Sequence, residues 1–145
     1  MLIINRQARF NYEFLDTFEA GIVLRGYEVK SIRTGQVSLK ESFARIKDGE
    51  VWLLNAHIAP YSGGTPPNYE PTRTRKLLLN KKEITSLVGK LHEKGLSLVP
   101  LRLYIKKNRV KIELGLGKGK KKYDKRESIK RREIEREVKK KLKHE

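Results

Sequence analysis

The chain has no cysteine, one methionine and one tryptophan among its 145 residues. Without cysteine there are no disulfides and no thiolate metal sites. Long apolar runs are also missing: nothing approaches the ~20 residues that a membrane-spanning helix needs. The start, Met1-Leu-Ile-Ile-Asn-Arg6, turns polar after three apolar residues, so it does not read as a secretory leader, and the expectation is a cytoplasmic protein. Proline is sparse outside one place, with four of the five between Pro60 and Pro71. Acid is short as well: 17 Asp/Glu stand against 34 Lys/Arg, a formal net charge of +17.

The excess of positive charge is the strongest signal. A pI near 10.2 on a chain this small points to a polyanion, either nucleic acid or an anionic membrane. From Lys118 to Glu145 there are fourteen Lys/Arg and six Asp/Glu, a net of +8, with Ile129, Ile134, Val138 and Leu142 as the only aliphatic residues. Such a segment cannot bury enough apolar surface to offset its ordering entropy. It also lacks the Trp/Phe/Leu face of an interfacial helix, which argues against a membrane. Its pairs Glu127/Arg131, Glu135/Lys139 and Glu137/Lys141 lie at i, i+4 in the favourable order. It therefore reads as a tail that is disordered when free and becomes helical once phosphates neutralise it. Residues 1–117 are the body and 118–145 the tail. The body is basic too, with twenty Lys/Arg against eleven Asp/Glu.

Along the body, residues 10–24 alternate roughly and predict strand, bend, strand, with Gly21 at a bulge or corner. Gly26 to Gly35 predicts a short helix. Ser42–Lys47 and Glu50–Ile58 predict a hairpin around Asp48-Gly49, and residues 60–71 a loop. Residues 80–95 give the clearest helix: Asn80 can cap, Glu83 follows three positions on, and Ile84, Leu87, Val88 and Leu91 form one stripe. Leu96–Ile105 and Val110–Leu116 predict a second hairpin around Lys107-Asn108. The expected fold is mainly β with α: a small closed antiparallel barrel of oligonucleotide-binding type, with two or three helices and a basic C-terminal tail. A sandwich is the alternative.

Catalytic patterns are weak. His57, His92 and His144 have no second histidine or carboxylate at metal-ligand spacing, and Gly117-Lys-Gly lacks the remainder of a phosphate loop. No enzyme activity, cofactor or metal is expected; a ribonuclease using His57 or His92 is the enzyme-class alternative.

Nucleic-acid contacts are better supported. Arg6, Arg9, Arg25, Lys30 and Arg33 are interleaved with Phe10, Tyr12, Phe14 and Tyr27, which suits phosphate contact and base stacking. Phe10, Phe14 and Phe18 are expected in the core. Arg73, Arg75 and Lys76, just before Leu77-Leu-Leu79, look like a phosphate clamp. Glu19 looks out of place on a basic RNA-facing edge; it makes sense there if its carboxylate accepts from base amino or imino groups, while an ordinary edge-strand charge is the alternative and the one that residue type alone favours. In the tail, Lys118, Lys120 and Lys121 supply charge, Tyr123 is the one aromatic and a stacking candidate, and Ile134 begins a thin apolar seam.

Five blocks in order resemble the SsrA-binding protein family, also called small protein B: Asn5-Arg-Gln-Ala-Arg9, Phe18-Glu-Ala-Gly-Ile22, Gly26-Tyr-Glu-Val-Lys-Ser31, Pro71-Thr-Arg-Thr-Arg-Lys-Leu-Leu-Leu-Asn80, and Gly117-Lys-Gly-Lys-Lys121 with Asp124-Lys-Arg126. The resemblance implies an oligonucleotide-binding-type barrel that binds the tRNA-like domain of transfer-messenger RNA, one protein per RNA. It also implies delivery to stalled ribosomes for trans-translation. The tail would enter the empty message channel at the small-subunit decoding centre and become helical there. By position, Asn5, Glu19 and Leu77 match family residues involved in RNA binding, and Asp124, Lys125 and Arg126 match the ribosome-engaging signature. Tyr123 falls where the family also shows His. The alternative is a generic oligonucleotide-binding protein with a nonspecific basic arm.

Overall fold

The computed structural model describes residues 2–92 and 95–120. In chain order the elements are β1 (Leu2–Ile4), α1 (Arg6–Asn11), β2 (Tyr12–Ile22), α2 (Gly26–Arg33), β3 (Val37–Ser38), β4 (Phe43–Lys47), β5 (Glu50–Leu54), β6 (His57–Ile58), β7 (Arg75–Leu78), α3 (Lys81–Leu91), β8 (Leu96–Lys106) and β9 (Arg109–Gly119). All the pairings are antiparallel. Six strands form a ring, β8-β4-β5-β7-β2-β9 and back to β8, while β1 adds to the outer edge of β8. β3 and β6 form a separate two-stranded ribbon.

Strand alternation gives the ring an inner and an outer face. Ala20 from β2, Val51 and Leu53 from β5, Leu77 from β7, Leu98 and Leu103 from β8, and Ile112, Leu114 and Leu116 from β9 turn inward into one core. Ile32 of α2 and Leu87 of α3 pack into it. The helix stripe read at 84–91 is thus only partly used: Leu87 is buried, whereas Val88 is exposed. Asn80 caps α3 as expected, its side chain accepting from the Glu83 N–H at 2.8 Å.

The turns fall where the sequence put them. Lys107 and Asn108 both take positive φ (51° and 61°), the backbone of a two-residue hairpin turn that suits the twist of β8 and β9. Asp48 and Gly49 do the same between β4 and β5. The return strand of that first hairpin is broken: Asn55 has φ 64°, and the chain leaves β5 to pair as β6 with β3.

Three expectations are corrected. Residues 10–24 are not strand, bend, strand. The 6–11 stretch is helical because Asn5 caps it, and β2 is one eleven-residue strand. The bulge lies between Phe14 and Asp16, not at Gly21, which keeps register with both neighbours. Gly21 is instead a close approach, where a Cβ would meet that of Leu78 at 3.3 Å. The bulge switches which face a residue presents. Phe18 packs against the main core, while Phe14 joins a second cluster with Ala8, Val99 and Leu101 under α1. Phe10 is not core; it sits on α1 and is 64% exposed.

Candidate nucleic-acid interface

The cations proposed from sequence divide into two kinds. Arg6 and Arg9 on α1, and Lys30 and Arg33 on α2, are exposed. Lys30 Nζ lies 5.5 Å from the centroid of the Tyr61 ring, a cation–π contact that leaves the ammonium accessible. Arg25 is exposed and donates to Tyr27 Oη at 2.8 Å. Lys118 and Lys120 are also exposed, and Lys118 belongs to β9, opposite Glu13. The last strand thus runs two residues into the segment assigned to the tail by charge. Lys121, Tyr123, Asp124, Lys125, Arg126 and Ile134 lie outside the described residues.

Arg73, Arg75 and Lys76 do not form a free clamp. Glu28 is fully buried in α2, and the two arginines converge on it. Arg75 is itself 0% exposed. Its Nε donates to Glu28 Oε2 at 2.7 Å, Nη1 to the Ala56 and Arg73 carbonyls, and Nη2 to Tyr69 Oη and the Pro71 carbonyl, both at 2.9 Å. Arg73 donates to both oxygens of Glu28, and Tyr69 Oη also contacts Oε2 at 3.1 Å. Burial pushes the Glu28 carboxyl up. Hydrogen bonds from Arg73, the Arg25 backbone N–H and Arg75 outweigh it and hold the group down at about 2. Lys76 pairs with Glu50 at 2.9 Å on the outer face. The sequence pattern gives no sign that Glu28, one of many acids, is the counter-ion of this segment; only the fold brings residues 28 and 75 together.

Asn5 and Leu77 are also inside. Leu77 is 2% exposed and fills the core, so it offers no surface to a ligand. Asn5 is 5% exposed; its Nδ2 donates to the Leu39 and Pro100 carbonyls and its Oδ1 accepts from the Ala8 N–H. It ties the start of α1, and with it Arg6 and Arg9, to β8.

Glu19, unlike Asn5 and Leu77, stands outward, its side chain 41% exposed on the outer face of β2. Tyr104 Oη of β8 donates to its Oε2, and Lys106 Nζ lies 3.5 Å from the same oxygen. The Tyr104 hydrogen bond holds the Glu19 carboxyl below the usual range. Burial first, and Glu19 second, push the Tyr104 phenol up to about 12. Glu113 of β9 is in register directly opposite Glu19. Two carboxylates facing each other across strands repel; Glu113 is instead drawn to Arg102, whose Nη2 donates to it at 3.0 Å. The Arg102 guanidinium lies 4.9 Å from the centroid of the Tyr104 ring. Sequence reasoning missed Tyr104, Arg102 and Glu113. Their register is readable from the Lys107-Asn108 turn, which sets Tyr104 opposite Lys111 and Arg102 near Glu113, but their meeting with β2 is not.

A cavity of about 640 Å³ opens between α1, α3 and the seam where β4 and β8 share the one pair Ala44–Leu98; Tyr12, Phe43, Arg45, Leu91 and Ser97 are among its lining residues. His57 and His92 are both exposed. Among the described residues no cluster of three His, Cys, Asp or Glu is placed to hold a metal, and no helix is long and apolar enough to cross a membrane.

The family model described as SmpB protein matches residues 2–144. The chain belongs to the SmpB family. The SsrA-binding protein of Carboxydothermus hydrogenoformans is 59% identical over 138 residues, which cover 95% of this chain and 93% of that relative. That of Trichormus variabilis is 56% identical over 141 residues, covering 97% and 91%. A solved SmpB chain, from work described as "tmRNA-SmpB: a journey to the center of the bacterial ribosome", superposes with a TM-score of 0.69 at 52% identity, covering 82% of this chain and 84% of that one.

Proposed function

We propose that this protein binds the tRNA-like domain of transfer-messenger RNA and delivers it to stalled ribosomes for trans-translation. The observation that carries the reading is family membership across residues 2–144, together with relatives named for binding SsrA. The geometry supports a division of labour. Exposed cations on α1 and α2 hold phosphates without sequence preference. Glu19, an anchored carboxylate among cations, supplies hydrogen-bond acceptance toward base amino or imino groups. Asn5, Arg75 and Leu77 serve by fixing the elements that carry these groups. The ring of strands is read as a closed barrel of oligonucleotide-binding type, and the protein as a cytoplasmic RNA-binding adaptor without catalytic chemistry, acting as one copy per RNA.

The tail, with Lys120, Lys121, Tyr123, Asp124, Lys125, Arg126 and Ile134, engages the message channel at the small-subunit decoding centre and folds there. Competition binding tests the RNA part. The full chain should stay on the tRNA-like domain in the presence of excess bulk tRNA and single-stranded RNA. Equal displacement by either competitor refutes it in favour of a generic oligonucleotide-binding protein.

A further inference from the structure

Two carboxylates, an arginine and a tyrosine form a continuous chain across the outer faces of β2, β9 and β8, from Glu113 to Arg102 to the Tyr104 ring to Glu19. We propose that Tyr104 is a positioning residue for RNA recognition: it anchors Glu19 through one carboxylate oxygen and so presents the other to an N–H donor on a base edge. This rests on the reading of Glu19 as a base-contacting group.

The atoms divide in the way this role requires. Tyr104 Oη and Lys106 Nζ both engage Oε2, leaving Oε1 as the acceptor that can be offered outward. A long, exposed glutamate would otherwise sample several rotamers, each adding to the entropy lost on binding. One anchored oxygen removes most of that freedom in advance.

The tyrosine is itself held from behind. The Arg102 guanidinium covers the ring, and Glu113 fixes the guanidinium by an ion pair. Arg102 Nε is buried and has no hydrogen-bond partner among the described residues. A donor left unmatched is costly, so the Tyr104 ring and the Nη2 hydrogen bond to Glu113 are what hold this arginine in place. The same ion pair draws Glu113 away from Glu19, which it faces in register. The ligand chemistry that fits is a neutral amino or imino N–H of a base. A phosphodiester has no proton to donate and so cannot pair with the free oxygen of Glu19.

Binding of the tRNA-like domain to the full chain tests this with Tyr104→Phe, Glu19→Gln and the double variant. Tyr104→Phe removes one hydroxyl and keeps the ring under Arg102. It is expected to weaken binding about fivefold, in line with the typical net contribution of one hydrogen bond. In the Glu19→Gln background the same change should cost less than about twofold, because there is no longer a carboxylate to position. Thermal melts of each variant report folding, and the tyrosine 13Cζ titration gives a readout independent of RNA. In Glu19→Gln the Tyr104 phenol should titrate below its value of about 12 in the parent chain. If Glu19→Gln weakens binding and Tyr104→Phe does not, the positioning role is wrong while the carboxylate reading stands. Additive losses in the double variant also overturn it. If Glu19→Gln itself binds as the parent does, the underlying reading fails.

Discussion

Glu28→Gln tests how the loop and strand around residues 69–76 are held. Glutamine keeps the size of the side chain and removes its charge. Arg75 remains, fully buried and with all five donors already directed into the protein, but its buried counter-ion is gone. Removing one member of a buried pair costs about 3–5 kcal/mol, because the other charge is left uncompensated. Linkage gives an independent figure. The carboxyl lies at about 2 in the folded protein against 4.5 unperturbed, so it contributes about 3 kcal/mol at neutral pH. Since the folded value is depressed, that contribution is complete above about pH 4.5 and is lost as pH falls toward 2. Asp16 and Glu19 are also held low, but they are exposed and screened, so Glu28 should dominate the acid slope. Urea titrations from pH 7 to pH 2, followed by the fluorescence of Trp52, measure both quantities. The parent chain should lose about 3 kcal/mol across the acid window. The variant should start about 3–5 kcal/mol lower at pH 7 and show a correspondingly flatter slope. A loss below about 1 kcal/mol at pH 7, or an unchanged acid slope, would refute the reasoning.

Other outcomes follow from the same geometry. Gly115→Ala would place a Cβ 2.5 Å from Phe14 Cδ1 and 3.0 Å from Leu101 Cδ1. It should destabilise by about 1–3 kcal/mol in a melt, and pairing it with Phe14→Leu should recover part of the loss. A chain ending at Lys120 keeps the pairing of β9 with Tyr12 and Glu13; it should bind the tRNA-like domain as the full chain does yet fail to support peptide tagging. Ile134→Pro should separate the same two activities by blocking an induced helix, so tagging at the parental rate would count against folding of the tail on the ribosome.

Much of the fold was legible in local chemistry. Asp48-Gly49 and Lys107-Asn108 mark two hairpin turns, and Asn80 with the Leu87 stripe marks α3, because turn backbone and helix period are set by neighbours in sequence. The α1 helix was missed because its cap, Asn5, also depends on the distant Leu39 and Pro100 carbonyls for its placement. Phe10 misled because aromatic bulk in an alternating stretch reads as strand core, whereas here the residue lies on a short helix outside the ring. The site divides similarly. Glu19 is noticeable as an acid on a basic edge, but residue type alone reads as an ordinary edge-strand charge, and the candidate role comes from the family resemblance. Arg75 looked like a phosphate ligand because its counter-ion lies 47 positions away. The Tyr104–Arg102–Glu113 support needed the pairing of β2 with β9, a contact between residues far apart in the chain.

Filter binding of the tRNA-like domain to the parent chain and to Glu19→Ala at fixed salt shows whether Glu19 recognises or repels the RNA. The substitution makes the protein more positive. A surface that attracts only phosphates would therefore bind as tightly or tighter. If Glu19 reads a base, the alanine variant should bind more weakly, by about 1–3 kcal/mol, with a salt dependence close to that of the parent chain. Unchanged or tighter binding by the alanine variant would contradict that reading.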